Sequence, residues 1–139
     1  MCSGSILATR LSSATMAAEQ PRAVIEEIAA LAAMVGKLTK APPAFNVVLM
    51  QHTQCGAQNF ANPEFQATLK EKLGIDVSES AISDHDTDLK RDIARLRDAP
   101  VLPGSLSVSA VLYDVKTGQL SEIAAPATLA DLRQAAATA

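Results

Sequence analysis

An imidazole and a thiol stand three residues apart in His52-Thr53-Gln54-Cys55-Gly56. Imidazole nitrogen and thiolate sulfur are ligand types that Zn²⁺ favours. The pair follows an apolar run, Phe45 to Gln51, that reads as a parallel strand buried on both faces. The histidine therefore sits at the carboxyl end of a strand and the cysteine in the tight loop just beyond it. Open α/β sheets place their ligands at that end. Gly56 permits a sharp backbone turn beside the pair. A zinc site takes about four ligands, so a single H-x-x-C supplies half a set. The same residues also describe a strand-end histidine bonded to backbone beside an inert buried thiol. As a redox centre, Cys55 lacks a resolving cysteine nearby, since the only other one is Cys2.

Cys2, Asp84, His85, Asp86 and Asp88 are the residues whose chemistry would complete a metal set. Asp84-His85-Asp86 reads instead as a solvated loop before a helix, with Asp86 or Thr87 as the N-cap. The charge run from Lys90 to Asp98 reads as a solvated helix face held by i,i+4 pairs. Tyr113 reads as a sheet residue.

With 139 residues, 48% of them hydrophobic, the chain is long enough for one domain with a sizeable core. Aromatics are 3% and Trp is absent, so that core must be aliphatic and Ala-rich. The net charge of −3, with no basic stripe, argues against nucleic acid as a partner. No apolar run approaches the length of a transmembrane helix, so no membrane role is expected. Two cysteines make no disulfide framework, and a reducing cytoplasmic setting is expected. Residues 1–20 are rich in Ser, Ala and Thr and read as disordered or poorly specified. The domain is expected over residues 21–139.

The elements that must hold the H-x-x-C loop follow from periodicity. Val24, Ile25, Ile28, Leu31, Ala32 and Val35 recur at helical spacing after Pro21, with a stop at Gly36. The strand over 45–51 follows. Pro63 to Leu73 reads as a short helix with Asn62 as N-cap and Gly74 as C-cap. Thr87 to Asp98 is a second amphipathic helix. Leu106 to Leu112 reads as a strand, Tyr113 to Leu120 as a hairpin turn, and Leu120 to Ile123 as the returning strand. Thr128 to Ala137 is a last helix, with Thr128 as cap and Asp131 in a capping-box position. The order predicts an α/β fold with a small, mostly parallel sheet flanked by helices.

Three segments in order carry a family resemblance. Val47 to Gly56 resembles the zinc-ligand segment of the β-class carbonic anhydrases. Asp88 to Pro103 is similar to the helix and Pro-bounded exit of their small prokaryotic and fungal members. Val108 to Leu120 is similar to their final sheet hairpin, except that Ala110 stands where the family usually has Gly. The resemblance runs from about Arg22 to Ile123. It implies a Zn²⁺ protein whose family reaction is the reversible hydration of CO₂ to bicarbonate, by attack of a metal-activated hydroxide. Two Cys and one His hold the metal in that family, and His52 and Cys55 match its second ligand pair. The first pair comes from an upstream C-x-D-x-R segment, followed by R-N-A-G-G. Neither is here: Cys2 is followed by Gly4 and Ile6 where Asp and Arg are expected. The family's first strand segment is expected to be missing with it, and the chain to be inactive as written. The resemblance also implies a homo-dimer, or pairing with a full-length paralogue as a non-catalytic relative, through the apolar stripe of Val24 to Val35.

Overall fold

Covering an aliphatic sheet on one face is what organises the chain. The structure, a computed structural model, describes residues 5–9, 20–78 and 81–139. Four strands lie in the order β1 (Ser5–Thr9), β2 (Asn46–His52), β3 (Ser107–Tyr113) and β4 (Leu120–Thr128). The first three run parallel and β4 returns antiparallel to β3. The helices are α1 (Gln20–Thr39), α2 (Pro63–Leu73), α3 (His85–Asp98) and α4 (Leu129–Ala137). A 3₁₀ helix spans Gly56–Ala61, where the sequence pattern suggests only loop. The predicted α/β class with a small, mostly parallel sheet is the fold observed.

Val47, Leu49, Val108 and Ala110 share one sheet face and pack with Ile28 and Ala32 of α1, Leu89 and Leu96 of α3, and Leu129 of α4. The strands β1, β2 and β3 step across the sheet in one direction, so right-handed crossovers carry α1 and α3 to the same face. On the other face Asn46, Val48, Met50 and His52 are half-buried. Arg133 of α4 stitches the layers at one end. Its Nε donates to the carbonyl of Arg97, and its Nη2 to those of Ala99 and Leu102. Of these, the Arg97 carbonyl lies in the last turn of α3, where intrahelical partners run out. No helix among the described residues is long and apolar enough to cross a membrane.

Local signals hold where they are strong. The Asn62 side chain accepts from the N–H groups of Glu64 and Phe65, and Gly74 closes α2 at φ 66°. Thr128 caps α4, its hydroxyl accepting from Asp131 N at 3.1 Å. Four expectations shift. The sequence leaves residues 1–20 outside the domain and the sheet without an upstream strand. Ser5–Thr9 instead lie along β2, Ser5 opposite Asn46 and Thr9 opposite Met50, which gives that edge of β2 its backbone partners. The α1 helix runs through Gly36 to Thr39, and Lys40 takes the left-handed turn at φ 54°. The α3 helix begins two residues early, because Asp84 rather than Asp86 or Thr87 is its cap. Asp84 Oδ2 accepts from Thr87 N at 2.9 Å and from the Thr87 hydroxyl at 2.6 Å. Finally β4 continues to Thr128 opposite Ser107, and its Pro126 is tolerated because this strand is at the sheet edge.

The core assignment predicts a contrast. Leu96→Ala removes a side chain only 1% exposed and should lower unfolding stability by about 2–5 kcal/mol. Leu73→Ala, at 64% exposure, should change it by less than about 0.5 kcal/mol. Urea titration of both variants checks this, and equal losses would displace the core from α3.

Candidate metal centre

Strand alternation decides which way the first candidate ligand faces. Val47, Leu49 and Gln51 are buried on the helix-covered face, so His52 points to the other, half-covered side. Its Nδ1–H donates to the Thr53 carbonyl at 2.9 Å. The acceptor is a carbonyl, so the proton must be on Nδ1, and neutral His52 keeps its lone pair on Nε2. Metal-binding histidines are commonly oriented by such a bond from the second ring nitrogen.

The loop beyond is held from two directions. Thr53 N donates to the Tyr113 carbonyl at 2.9 Å, one step past the parallel register of β2 with β3. Val115 N donates to the Thr53 hydroxyl at 3.1 Å, which ties the loop to the β3–β4 turn. Tyr113 is a sheet residue, as its sequence context indicates. Gln54 then adopts a left-handed conformation at φ 54°. For a residue with a Cβ this conformation costs about 1–2 kcal/mol. The turn it makes returns the chain at Cys55, which starts the 3₁₀ helix by accepting Gln58 N at 3.0 Å on its carbonyl. Cys55 is a free, buried thiol packed with Ala57 and Ile82, with Phe60 against them.

Of the residues named to complete the set, the structure brings one towards the strand end. His85 Nδ1–H donates to Gln51 Oε1 at 2.6 Å, and Gln58 Nε2 lies 3.4 Å from its Nε2. His85 is thus a half-buried link between β2, the 3₁₀ helix and the start of α3, not a solvated loop residue. The contact spans 34 residues of sequence, and no local pattern announces it. Gln51 Nε2 is buried without a hydrogen-bond partner. Asp84 is spent as the α3 cap, and Asp86 pairs with Lys90 at 2.6 Å on the surface. Asp88 is buried, pairing with Arg91 at 3.1 Å and accepting Ser83 N at 3.2 Å. Cys2 lies outside the described residues. Among the described residues, no three His, Cys, Asp or Glu side chains gather where they could hold a metal ion.

The charge run of α3 is only partly a solvated face. Asp92 joins Asp88 in the interior and is held by Arg95 at 2.9 Å. The observed pairs of both aspartates are i,i+3, where i,i+4 pairs are expected. Burial pushes the Asp92 carboxyl above its ordinary value, against the opposing pull of Arg95 and Arg91.

Among the described residues, His52 at the strand end spends its Nδ1–H on the Thr53 carbonyl, Cys55 three positions on is a buried free thiol, and no group of three His, Cys, Asp or Glu forms. A zinc site takes about four ligands, and the described residues do not gather such a set. Comparison with known proteins bears on the chain's family. No family model matches the chain. Over 79 residues it is 28% identical to β-carbonic anhydrase 1 of Mycobacterium tuberculosis, a stretch covering 55% of this chain and 48% of that protein. The match to β-carbonic anhydrase 1 of Mycobacterium bovis has the same identity and extent. The crystal structure of carbonic anhydrase from Streptococcus mutans superposes with a TM-score of 0.51 at 31% identity, covering 73% of this chain and 58% of that one. The chain is a relative of the β-carbonic anhydrases. It spans about half the length of the curated relatives it matches. As a β-carbonic anhydrase relative it keeps the α/β architecture expected from the sequence, with His52 at the end of a parallel strand and Cys55 at the head of the following turn.

Two outcomes test this geometry. Gln54→Gly relieves the left-handed strain and should hold or raise stability, whereas Gln54→Val should lower it by about 1–2 kcal/mol. Thermal unfolding of the pair checks it, and the opposite ranking would deny that strain. Asp92 carries a pH signature. Its folded pKa is raised, so the folded state binds the proton more readily than the unfolded chain, and this group's contribution falls as pH rises from the unfolded value through the folded one. Asp92→Asn should therefore gain stability relative to the parent as pH rises from about 4, the ordinary carboxylate value. A difference in urea midpoint that stays flat over that range would exclude the buried charge as its source.

Proposed function

We propose that this chain carries the second half of a β-carbonic anhydrase zinc site, with His52 and Cys55 as ligands. We further propose that it does not hydrate CO₂ unless further donors reach that half-site. The donor set carries the reading. Imidazole and thiolate are the right ligand types, and the Nδ1–H bond to the Thr53 carbonyl leaves Nε2 open for an ion. The family relationship supports the same assignment, because the named relatives are carbonic anhydrases. In that family the reaction is the reversible interconversion of CO₂ and bicarbonate, a lyase chemistry that depends on a complete zinc centre. Two protein donors fall short of the three that catalytic zinc sites use. The activity of the whole protein is proposed on the same footing, since the chain matches only about half of its curated relatives.

Zinc binding of the purified chain, measured by competition with a chromogenic chelator, tests both parts. Weak binding that drops at least about tenfold in His52→Ala and again in Cys55→Ala is expected, together with CO₂ hydration no faster than buffer. Zinc affinity unchanged in both variants would remove these residues as ligands. Tight stoichiometric zinc with measurable hydration would overturn the second part and leave the ligand assignment standing.

A further inference from the structure

We infer that residues 82–85 form a strap over Cys55, pinned by His85, which opens locally and presents the thiol while the rest of the domain stays folded. Cys55 is 6% exposed, and what covers it is small. Among the described residues its buried cluster holds only Ala57 and Ile82, with Phe60 against them. That cluster is separate from the aliphatic core beneath the sheet. Ile82 is its one member from beyond α2, so the cover over the thiol arrives with the segment that leads into α3. A satellite cluster of this size under a loop belongs to the low-stability end of a fold, where a segment opens without the rest.

Few tethers keep the strap down. Ile82 N donates to the Ala57 carbonyl at 3.4 Å, the long end of a hydrogen bond. Ser83 and Asp84 are exposed and bond to α3 itself, Ser83 N donating to Asp88 Oδ2 and Asp84 Oδ2 accepting from Thr87 N. That leaves His85. Its Nδ1–H donates to Gln51 Oε1 at 2.6 Å, and its Nε2 faces Gln58 Nε2 at 3.4 Å. With the proton on Nδ1, the ring's Nε2 is the acceptor for the Gln58 amide. Gln51 is 7% exposed, so the shorter bond lies out of water, where it counts for more. Gln51 immediately precedes His52, and Gln58 donates its backbone N–H to the Cys55 carbonyl at 3.0 Å. One imidazole thus spans the H-x-x-C turn from its strand side to its 3₁₀ side and pins the strap across it. His85 is a positioning residue, acting on Cys55 through Gln51, Gln58 and the cover that Ile82 provides. The inference holds whether or not His52 and Cys55 take an ion.

The rate at which Cys55 reacts with iodoacetamide tests this, in the full chain carrying Cys2→Ser and with a metal chelator present. The parent should react many-fold more slowly than a free thiol at the same pH. Its rate should stay flat in low urea, as an opening that exposes little surface requires. His85→Ala should raise the rate by about tenfold, the order that two ordinary hydrogen bonds carry, and keep it flat in low urea. His85→Phe keeps a ring without the bonds and should react as fast as His85→Ala. His85→Asn offers Gln51 a donor near the place of Nδ1 and should fall between His85→Ala and the parent. A parent as reactive as a free thiol, a rate unmoved by His85→Ala, or a rate that climbs steeply from the first additions of urea would each overturn the strap. A slow His85→Phe beside a fast His85→Asn would overturn it too, because filled space rather than bonding would then hold the cover. Far-UV circular dichroism confirms that each variant is folded. Should His85→Ala unfold, Gln51→Leu with Gln58→Ala cuts the same two bonds and gives the same decision.

Discussion

Burial of one face of β2 and β3 beneath α1 and α3 is the interaction on which the rest of the molecule depends. Val47, Leu49, Val108 and Ala110 are at most 2% exposed, and Leu89 and Leu96 close over them. Each fully buried aliphatic side chain of this size is worth about 1.5–3 kcal/mol. Side chains alternate along a strand, so this contact also fixes direction at the strand end. A slip of one residue would send His52 into the core and Gln51 out to the half-covered face. The orientation of the candidate ligand is thus a by-product of aliphatic packing three to five residues upstream.

The loop after β2 is held at a cost. Gln54 is left-handed without being glycine. Gln51 places an amide on the covered face with one nitrogen unpaired, which costs about 1–3 kcal/mol. Asp88 and Asp92 are buried as ion pairs, an arrangement whose desolvation offsets much of the attraction. What offsets these costs is cross-bracing. Thr53 is tied to Tyr113 and Val115, while His85 is tied to Gln51, and Ile82 N donates to the Ala57 carbonyl. The H-x-x-C turn is therefore supported from the β3–β4 turn on one side and from the start of α3 on the other.

Features set within a few residues were legible in the sequence. Asn62 before Pro63, Gly74 after Leu73 and Thr128 before the last helix act through contacts no more than a turn away, and all three appear where expected. The boundary of α3 was less legible, because Asp84 and Asp86 carry the same capping side chain two residues apart and spacing alone does not choose between them. Gly36 failed as a stop because tertiary contacts along α1 outweigh the roughly 1 kcal/mol that glycine costs inside a helix.

By itself, the sequence determined the α/β class, the strand that ends at His52, and the placing of Cys55 in the turn that follows. Those follow from hydrophobic period and turn chemistry, which act over neighbouring residues. Only the tertiary structure decided that Ser5–Thr9 pair with β2, that His85 reaches Gln51, that Asp88 and Asp92 face inward, and which side of α1 is left uncovered. Each of these joins or covers residues far apart in the chain. A residue's own spacing cannot say which distant surface will meet it, because that is settled when the aliphatic faces close on one another.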